Sequence, residues 1–193
     1  MLTARLYRLA SAAGLTSAAI LLVNTAKRAG VIPITDATQL IAPLAQVFAL
    51  VLITALFIAY GRSSGPFGTI GFALNFVALA ALVGVEFVIN LVFAQLPDAT
   101  IADLRAGPLG VALTVASVLF LVGTWTFGAA LWRIPGPARP ALALYAVGAV
   151  PVALRAAVPE VALQLGLLLL AITITWLAVG LWRNAEGVST APV

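Results

Sequence analysis

The stretch from Pro66 to Gln95 reads PFGTIGFALNFVALAALVGVEFVINLVFAQ, and it decides the fold class. It carries one charged residue, Glu86, in a run that is otherwise almost wholly apolar. About 20 apolar residues are enough for an α-helix to cross the hydrocarbon core of a bilayer. A continuous apolar run also favours a helix over the alternating pattern of a membrane β-strand. The stretch therefore predicts a transmembrane helix.

The whole chain shares this composition. Of its 193 residues, 63% are hydrophobic and 8% are charged, and the mean hydropathy is +1.17. Soluble domains carry roughly 25% charged residues, so the composition excludes a soluble domain. The net charge of +4 comes mostly from scattered arginines, without a basic stripe interleaved with aromatics. We therefore expect a lipid bilayer as partner and no nucleic acid.

The absence of two residue types limits the chemistry. The sequence has no cysteine and no histidine, which excludes disulfides, thiolate nucleophiles and the usual zinc or haem ligands. Neither a glycine-rich phosphate loop nor a recognisable nucleophile–base spacing is present. We predict no metal site, no cofactor and no catalytic residues. The abundance of Arg, Ala, Gly, Val and Pro is typical of a GC-rich bacterial genome.

Six apolar segments predict an all-α bundle of six transmembrane helices. They form one transmembrane domain, residues 1–183, followed by a short tail, residues 184–193. The helices are expected near residues 7–27, 38–61, 66–95, 108–132, 138–158 and 160–182.

The fifth segment has the weakest pattern. Only fifteen uncharged residues separate Arg139 from Arg155, and Pro151 lies inside the segment and should kink it. A re-entrant or interfacial segment is the alternative, and it would leave five spans.

Earlier in the chain, Thr100 and Asp103 resemble a capping box, and Gly107 resembles a helix stop. The connection from 97 to 107 should therefore be a short interfacial helix.

The basic residues predict the orientation. With six spans, both termini and two short loops share one side, which carries six arginines and one carboxylate, Glu186. The other side carries four basic and four acidic residues. Because basic residues favour the cytoplasmic side, we expect a multi-pass protein of a bacterial inner membrane with both termini in the cytoplasm.

A polar stripe follows the third predicted helix. Asn75 lies eleven residues before Glu86, a separation of three turns plus about 20°, and Asn90 lies one turn beyond it. The three side chains should share a face. That face should meet protein or water, since a charge at mid-bilayer costs at least about 2.5–3.5 kcal/mol.

Other polar side chains concentrate in the outer half of the predicted bundle, in five of the six helices. They are Asn24, Lys27, Arg28, Gln46, Arg155 and Gln164, in addition to Glu86 and Asn90. The inner half carries hydroxyls that can bond to their own helix, namely Ser11, Thr54, Thr126 and Thr175. This asymmetry predicts an outward-facing polar pocket around Glu86, with Arg155, Lys27 or Arg28 as counter-charge.

Three short motifs carry a resemblance. Tyr7-Arg8-Leu9-Ala10 opens a small-residue helix, Gly84-Val85-Glu86-Phe87 lies in the third helix, and Leu131-Trp132-Arg133 precedes a proline-rich turn. In this layout the chain resembles the uncharacterised six-helix integral membrane proteins of bacteria. That group has no established activity, so the resemblance implies fold and location only.

The leading functional hypothesis is a membrane protein without catalytic activity. It would bind or pass a small polar or amphiphilic molecule through the pocket around Glu86. One alternative is an accessory or structural subunit of a larger membrane complex, in which Glu86 forms a packing ion pair. The other is an intramembrane lipid-modifying enzyme. We also expect that the chain could form a homo-oligomer or join a larger membrane complex.

Overall fold

The computed structural model describes residues 2–190, and side chains are described for residues 4–186. Every regular element in this range is helical, so the predicted all-α fold is confirmed. The α-helices are α1 (Leu2–Arg28), α2 (Asp36–Ile41), α3 (Leu44–Ala59), α4 (Gly65–Phe87), α5 (Asp98–Ala106), α6 (Pro108–Trp132), α7 (Arg139–Ala153) and α8 (Glu160–Thr190).

Five helical segments of the described chain are long and apolar enough to cross a membrane. They are Ala4–Arg28, Asp36–Ala59, Gly61–Gln95, Pro108–Trp132 and Glu160–Glu186. Large apolar side chains are exposed along them, for example Val77, Val115 and Ile172, each more than half exposed. Such a surface would promote aggregation in water, whereas contact with lipid tails is favourable for it.

Helix α7 is shorter than the predicted fifth helix. It spans 15 residues, Arg139–Ala153, or about 22 Å, against a hydrocarbon core of about 30 Å. Pro151 lies in its last turn, and a turn follows from Leu154. The Leu154 N–H still bonds the Val150 carbonyl at 2.9 Å, so helical bonding continues past Pro151. The helix ends at Ala153 and does not reach the predicted boundary at residue 158.

Proline also divides the predicted second helix. The short α2 and the longer α3 are separated by a turn at Ala42 and Pro43. The missing N–H of Pro43 and the bulk of its ring explain a break at this position. The two pieces nevertheless form one apolar segment, Asp36–Ala59.

Contacts between helices give their directions. Arg8 stacks on Trp182, and Arg28 pairs with Glu160, so α1 and α8 are antiparallel. We call the end of the bundle with Arg8 and Trp182 the near end, and the end with Arg28 and Glu160 the far end. By the same reasoning α4 and α7 are parallel, because Asn75 bonds Tyr145 while Glu86 bonds Arg155.

Two connections differ in detail from the sequence prediction. The last turns of the third apolar segment change from α-helix to a π-helix, Val88–Val92, and then to a 3₁₀ turn, Phe93–Gln95. The short helix α5 begins at Asp98, two residues before Thr100, without a side-chain cap. The predicted capping box is therefore wrong, although the helix exists and ends at Gly107.

The end of the chain also differs from the prediction. Helix α8 continues to Thr190, so most of the predicted tail, residues 184–193, is helical. Residues 191–193 of that tail lie outside the described residues.

Candidate functional site

Four polar side chains meet near the far end of the bundle. Arg155 Nη1 donates to Glu86 Oε1 at 3.0 Å. Asn90 Nδ2 donates to Glu86 Oε2 at 2.9 Å. Lys27 Nζ donates to Asn90 Oδ1 at 2.8 Å. We call Lys27, Glu86, Asn90 and Arg155 the far-end cluster.

Each member of the far-end cluster is held by a different feature of the backbone. Lys27 lies in the last turn of α1, and Glu86 in the last turn of α4. Asn90 lies in the π-helix that follows, and its amide also donates to the Glu86 backbone carbonyl at 2.9 Å. Arg155 reaches Glu86 because α7 ends at Ala153 and the chain turns there. The early end of α7 is thus what places the counter-charge.

The far-end cluster contains more positive than negative charge. Among the described residues, Glu86 is its one carboxylate, and Arg155 is the group that pairs with it directly. Asn90 links Lys27 to the same carboxylate. With Glu86 satisfied by Arg155 and Asn90, a cationic ligand would find no free carboxylate here.

The third candidate counter-charge, Arg28, lies elsewhere. Its Nε and Nη2 donate to the two Glu160 oxygens at 2.8 and 3.1 Å. The side chains are 25% and 50% exposed. This pair joins the end of α1 to the start of α8 at the rim of the bundle, where exposed pairs contribute at most about 1 kcal/mol.

Asn75 belongs to a separate network deeper in the bundle. It is fully buried, as the stripe predicted. Its Nδ2 donates to Tyr145 Oη at 3.0 Å, and Thr124 Oγ1 donates to its Oδ1 at 3.4 Å. The network joins α4, α6 and α7. All three residues of the predicted stripe are buried. Asn75 bonds Tyr145 and Thr124, whereas Glu86 and Asn90 belong to the far-end cluster.

The inner hydroxyls behave as the sequence predicted. Each donates to the backbone carbonyl four residues earlier, at 2.6–2.8 Å: Ser11, Thr54, Thr126 and Thr175. Each hydroxyl thus uses its proton within its own helix, and none of the four donates to a ligand.

A narrow cavity of about 60 Å³ runs along the middle of the bundle. The five long apolar segments and the shorter α7 all contribute to its wall. On α3 it extends from Ala45 to Leu56, which is about 16 Å at 1.5 Å per residue. Since one water needs about 10–15 Å³ of such space, the cavity has room for about four to six waters.

The two ends of this cavity differ in chemistry. Its far end is lined by Asn24, Gln46, Glu86 and Arg155. The rest of the wall is mostly leucine and phenylalanine, with Tyr145 midway. The arrangement could hold an apolar chain with a polar group at the far end.

Two amide oxygens at the polar end have no partner. Asn24 Oδ1 and Gln46 Oε1 are buried and accept no hydrogen bond from any described residue. Leaving a buried acceptor unsatisfied costs about 1–3 kcal/mol. Thr173 Oγ1 is a third such atom, but Thr173 does not line the cavity. A bound molecule with O–H or N–H groups would satisfy both amides.

The structure brings together most of the residues proposed from the sequence. Gln164 is half-buried on α8 and does not line the cavity. Tyr145 and Thr124 are additions that sequence reasoning missed. Tyr145 pairs across 70 positions with Asn75, and no local pattern signals such a pairing.

No protein-family model, no curated protein and no solved structure matches this chain.

Proposed function

We propose that this protein is a bacterial inner-membrane protein that binds or passes a small amphiphilic molecule. The apolar tail of that molecule occupies the central cavity. Its head group donates hydrogen bonds to the amide oxygens, a single hydroxyl to Asn24 or Gln46 and a primary amide or diol to both. The pair of unsatisfied, buried amide oxygens at one end of an apolar cavity carries this proposal. It supports an amphiphile over a fully polar molecule because the remaining wall offers few hydrogen-bonding groups.

In this proposal the far-end cluster is part of the binding wall and not the main ligand contact. Glu86 is already neutralised by Arg155, so the carboxylate has little left to offer a ligand. The ion pair fixes the turn after α7 against α4 and shapes the end of the cavity. Asn24 and Gln46, on α1 and α3, then face the ligand head from the other side.

A second candidate is supported by the same ion pair. A structural subunit of a larger membrane complex needs Glu86 and Arg155 only to pin two helices together, and their direct contact at 3.0 Å favours that role. This candidate gives no reason for the two unsatisfied amides. We therefore prefer the binding function.

The proposal includes six membrane spans with both termini in the cytoplasm. Helix α7 supplies the sixth span, and its 15 residues are completed by the turn that carries Arg155. Six spans place the arginine-rich near end inside, in line with the positive-inside tendency. The polar end of the cavity then faces outward.

The orientation predicts the behaviour of C-terminal fusions. A green fluorescent protein fused after Val193 should fluoresce, and alkaline phosphatase fused there should be inactive, because both reporters would be in the cytoplasm. Measuring both activities in whole cells checks this. Active phosphatase at this position would mean an odd number of spans or the reverse orientation.

The binding function predicts a specific response to a matched pair of compounds. With the protein in lipid nanodiscs, 1-dodecanol should raise the melting temperature by at least about 2 °C more than dodecane, because only the alcohol can donate to the amides. The measurement is intrinsic tryptophan fluorescence on heating, at equal mole fractions of the two compounds in lipid.

Two glutamine variants make this test specific. Gln46→Met should raise the melting temperature without ligand, since it removes an unsatisfied buried oxygen. The double variant Asn24→Leu, Gln46→Met should abolish the difference between dodecanol and dodecane, because it removes both acceptors for the single hydroxyl. Gln164→Met is the matched control, because Gln164 lies off the cavity, and it should keep that difference. Equal effects of the two compounds on the wild type would contradict the proposed function.

A further inference from the structure

A second, larger cavity lies at the near end of the bundle, away from the far-end cluster. It has a volume of about 500 Å³ and lies between the end of α3, the loop before α7 and the last turns of α8. We call it the near-end groove. Its lining includes Tyr60, Gly136, Trp176, Gly180, Arg183 and Asn184. These six residues do not line the central cavity, whereas Leu56 and Leu177 line both.

The polar side of the near-end groove offers hydrogen-bond donors without a carboxylate. Arg183 is exposed and forms no ion pair with any described carboxylate. The other described arginines of this region include three stacked on aromatic rings, Arg8, Arg133 and Arg139. Asn184 Nδ2 donates to the Tyr60 hydroxyl, which fixes both groups in the groove.

The start of α7 adds to the positive potential. Pro137 and Ala138 line the near-end groove, and Ala138 is the N-cap of α7, where no side chain caps the helix. Helix N-termini attract anions through their free N–H groups and the helix dipole. An arginine without a carboxylate and an uncapped helix start thus border the same space.

The other side of the near-end groove is apolar. Trp176 is 46% exposed, while Leu56 and Leu177 form a buried floor. Trp176 lies seven residues before Arg183 on α8, or about 10 Å along the helix axis, and such a pairing of an aromatic ring with a basic group suits the boundary between acyl chains and headgroups. A free phosphate ion would use only the polar half of this groove, whereas a phospholipid would use both halves.

We propose that the near-end groove binds an anionic phospholipid, with its phosphate on Arg183 and an acyl chain against Trp176. The groove shares Leu56 and Leu177 with the wall of the central cavity, but Arg183 and Trp176 line the groove alone. Guanidinium–phosphate hydrogen bonds are charge-assisted and directional. Occupation by a lipid of the surrounding leaflet would tie α8 to α3 and to the start of α7.

The test titrates purified protein in mixed micelles with dioleoyl-phosphatidylglycerol or dioleoyl-phosphatidylcholine and counts retained lipids by native mass spectrometry. Wild type should retain phosphatidylglycerol in preference to phosphatidylcholine. Arg183→Gln should weaken that retention about tenfold or more, as expected for loss of a charged hydrogen-bonding group. Arg62→Gln, at another exposed arginine of the near end, is the matched control and should retain phosphatidylglycerol as the wild type does.

Two further arms complete the experiment. Gly180→Val fills the near-end groove, because a Cβ at Gly180 meets nothing within 4 Å, and it should expel the lipid even if Arg183→Gln folds poorly. Inorganic phosphate at millimolar concentration should not displace the lipid. Unchanged retention in both groove variants, equal loss in Arg62→Gln, or displacement by phosphate would overturn the proposal.

Discussion

Glu86→Gln should lower the melting temperature of the purified protein by about 6–20 °C. The change leaves Arg155, whose side chain is 20% exposed, without its carboxylate, and breaking a buried pair in this way costs about 3–5 kcal/mol. For a chain of this size, each kcal/mol shifts the melting temperature by about 2–4 °C. Circular dichroism or tryptophan fluorescence during heating gives the measurement.

The exposed pair at the rim provides a matched control for Glu86. Glu160→Gln removes a carboxylate from an arginine in the same way, but the Glu160 side chain is 50% exposed. Its loss should cost at most about 1 kcal/mol. The double variant Glu86→Gln, Arg155→Met should be more stable than Glu86→Gln alone, because it leaves no unpaired guanidinium. If Glu86→Gln costs no more than Glu160→Gln, the ion pair does not hold the turn after α7.

Gly123→Ala should destabilise the protein by about 1–3 kcal/mol or more, because it forces α4 and α6 apart. A Cβ at Gly123 would lie 2.7 Å from the Asn75 Cα and backbone N, atoms that cannot rotate away. Separating the helices would also stretch the hydrogen bond from Thr124 on α6 to Asn75 on α4. The loss should appear as a lower melting temperature and a lower yield after extraction in detergent.

Gly128 is the control for this prediction. It lies on the same helix and is also buried, but a Cβ there would meet nothing within 4 Å. Gly128→Ala should therefore be neutral or slightly stabilising, since alanine favours a helix by up to about 1 kcal/mol over glycine. Equal melting temperatures for the two alanine variants would show that the contact between α4 and α6 is looser than the structure has it.

The sequence predicted the long helices well because length and continuous hydropathy determine them. The predicted fourth helix, 108–132, has the same bounds as α6, with Pro108 at its start. The breaks at Pro43 and after Pro151 were harder to place. Proline can kink a helix or end it, and tertiary contacts such as the bond between Arg155 and Glu86 decide between these outcomes.

The candidate site was predictable only in part. Polar residues stand out in an apolar chain, so Glu86, Asn90 and Arg155 could be found from type and depth alone. The cavity could not be found in this way. Its wall residue Leu52 is buried and the neighbouring Val51 is exposed, yet both are apolar. In a membrane helix the inner and lipid-facing sides carry similar residues, so periodicity does not distinguish them.

The proposed binding function depends on where an amphiphile lies in the bundle, and photolabelling measures that directly. The probe is a dodecanol analogue with a diazirine in the middle of its chain, irradiated with the protein in nanodiscs and mapped by mass spectrometry of peptides. We expect labels on cavity-lining residues such as Leu52, Leu79 and Leu170, reduced by excess dodecanol but not by dodecane. Labels confined to lipid-facing residues such as Val115 and Val118, and insensitive to dodecanol, would contradict the account.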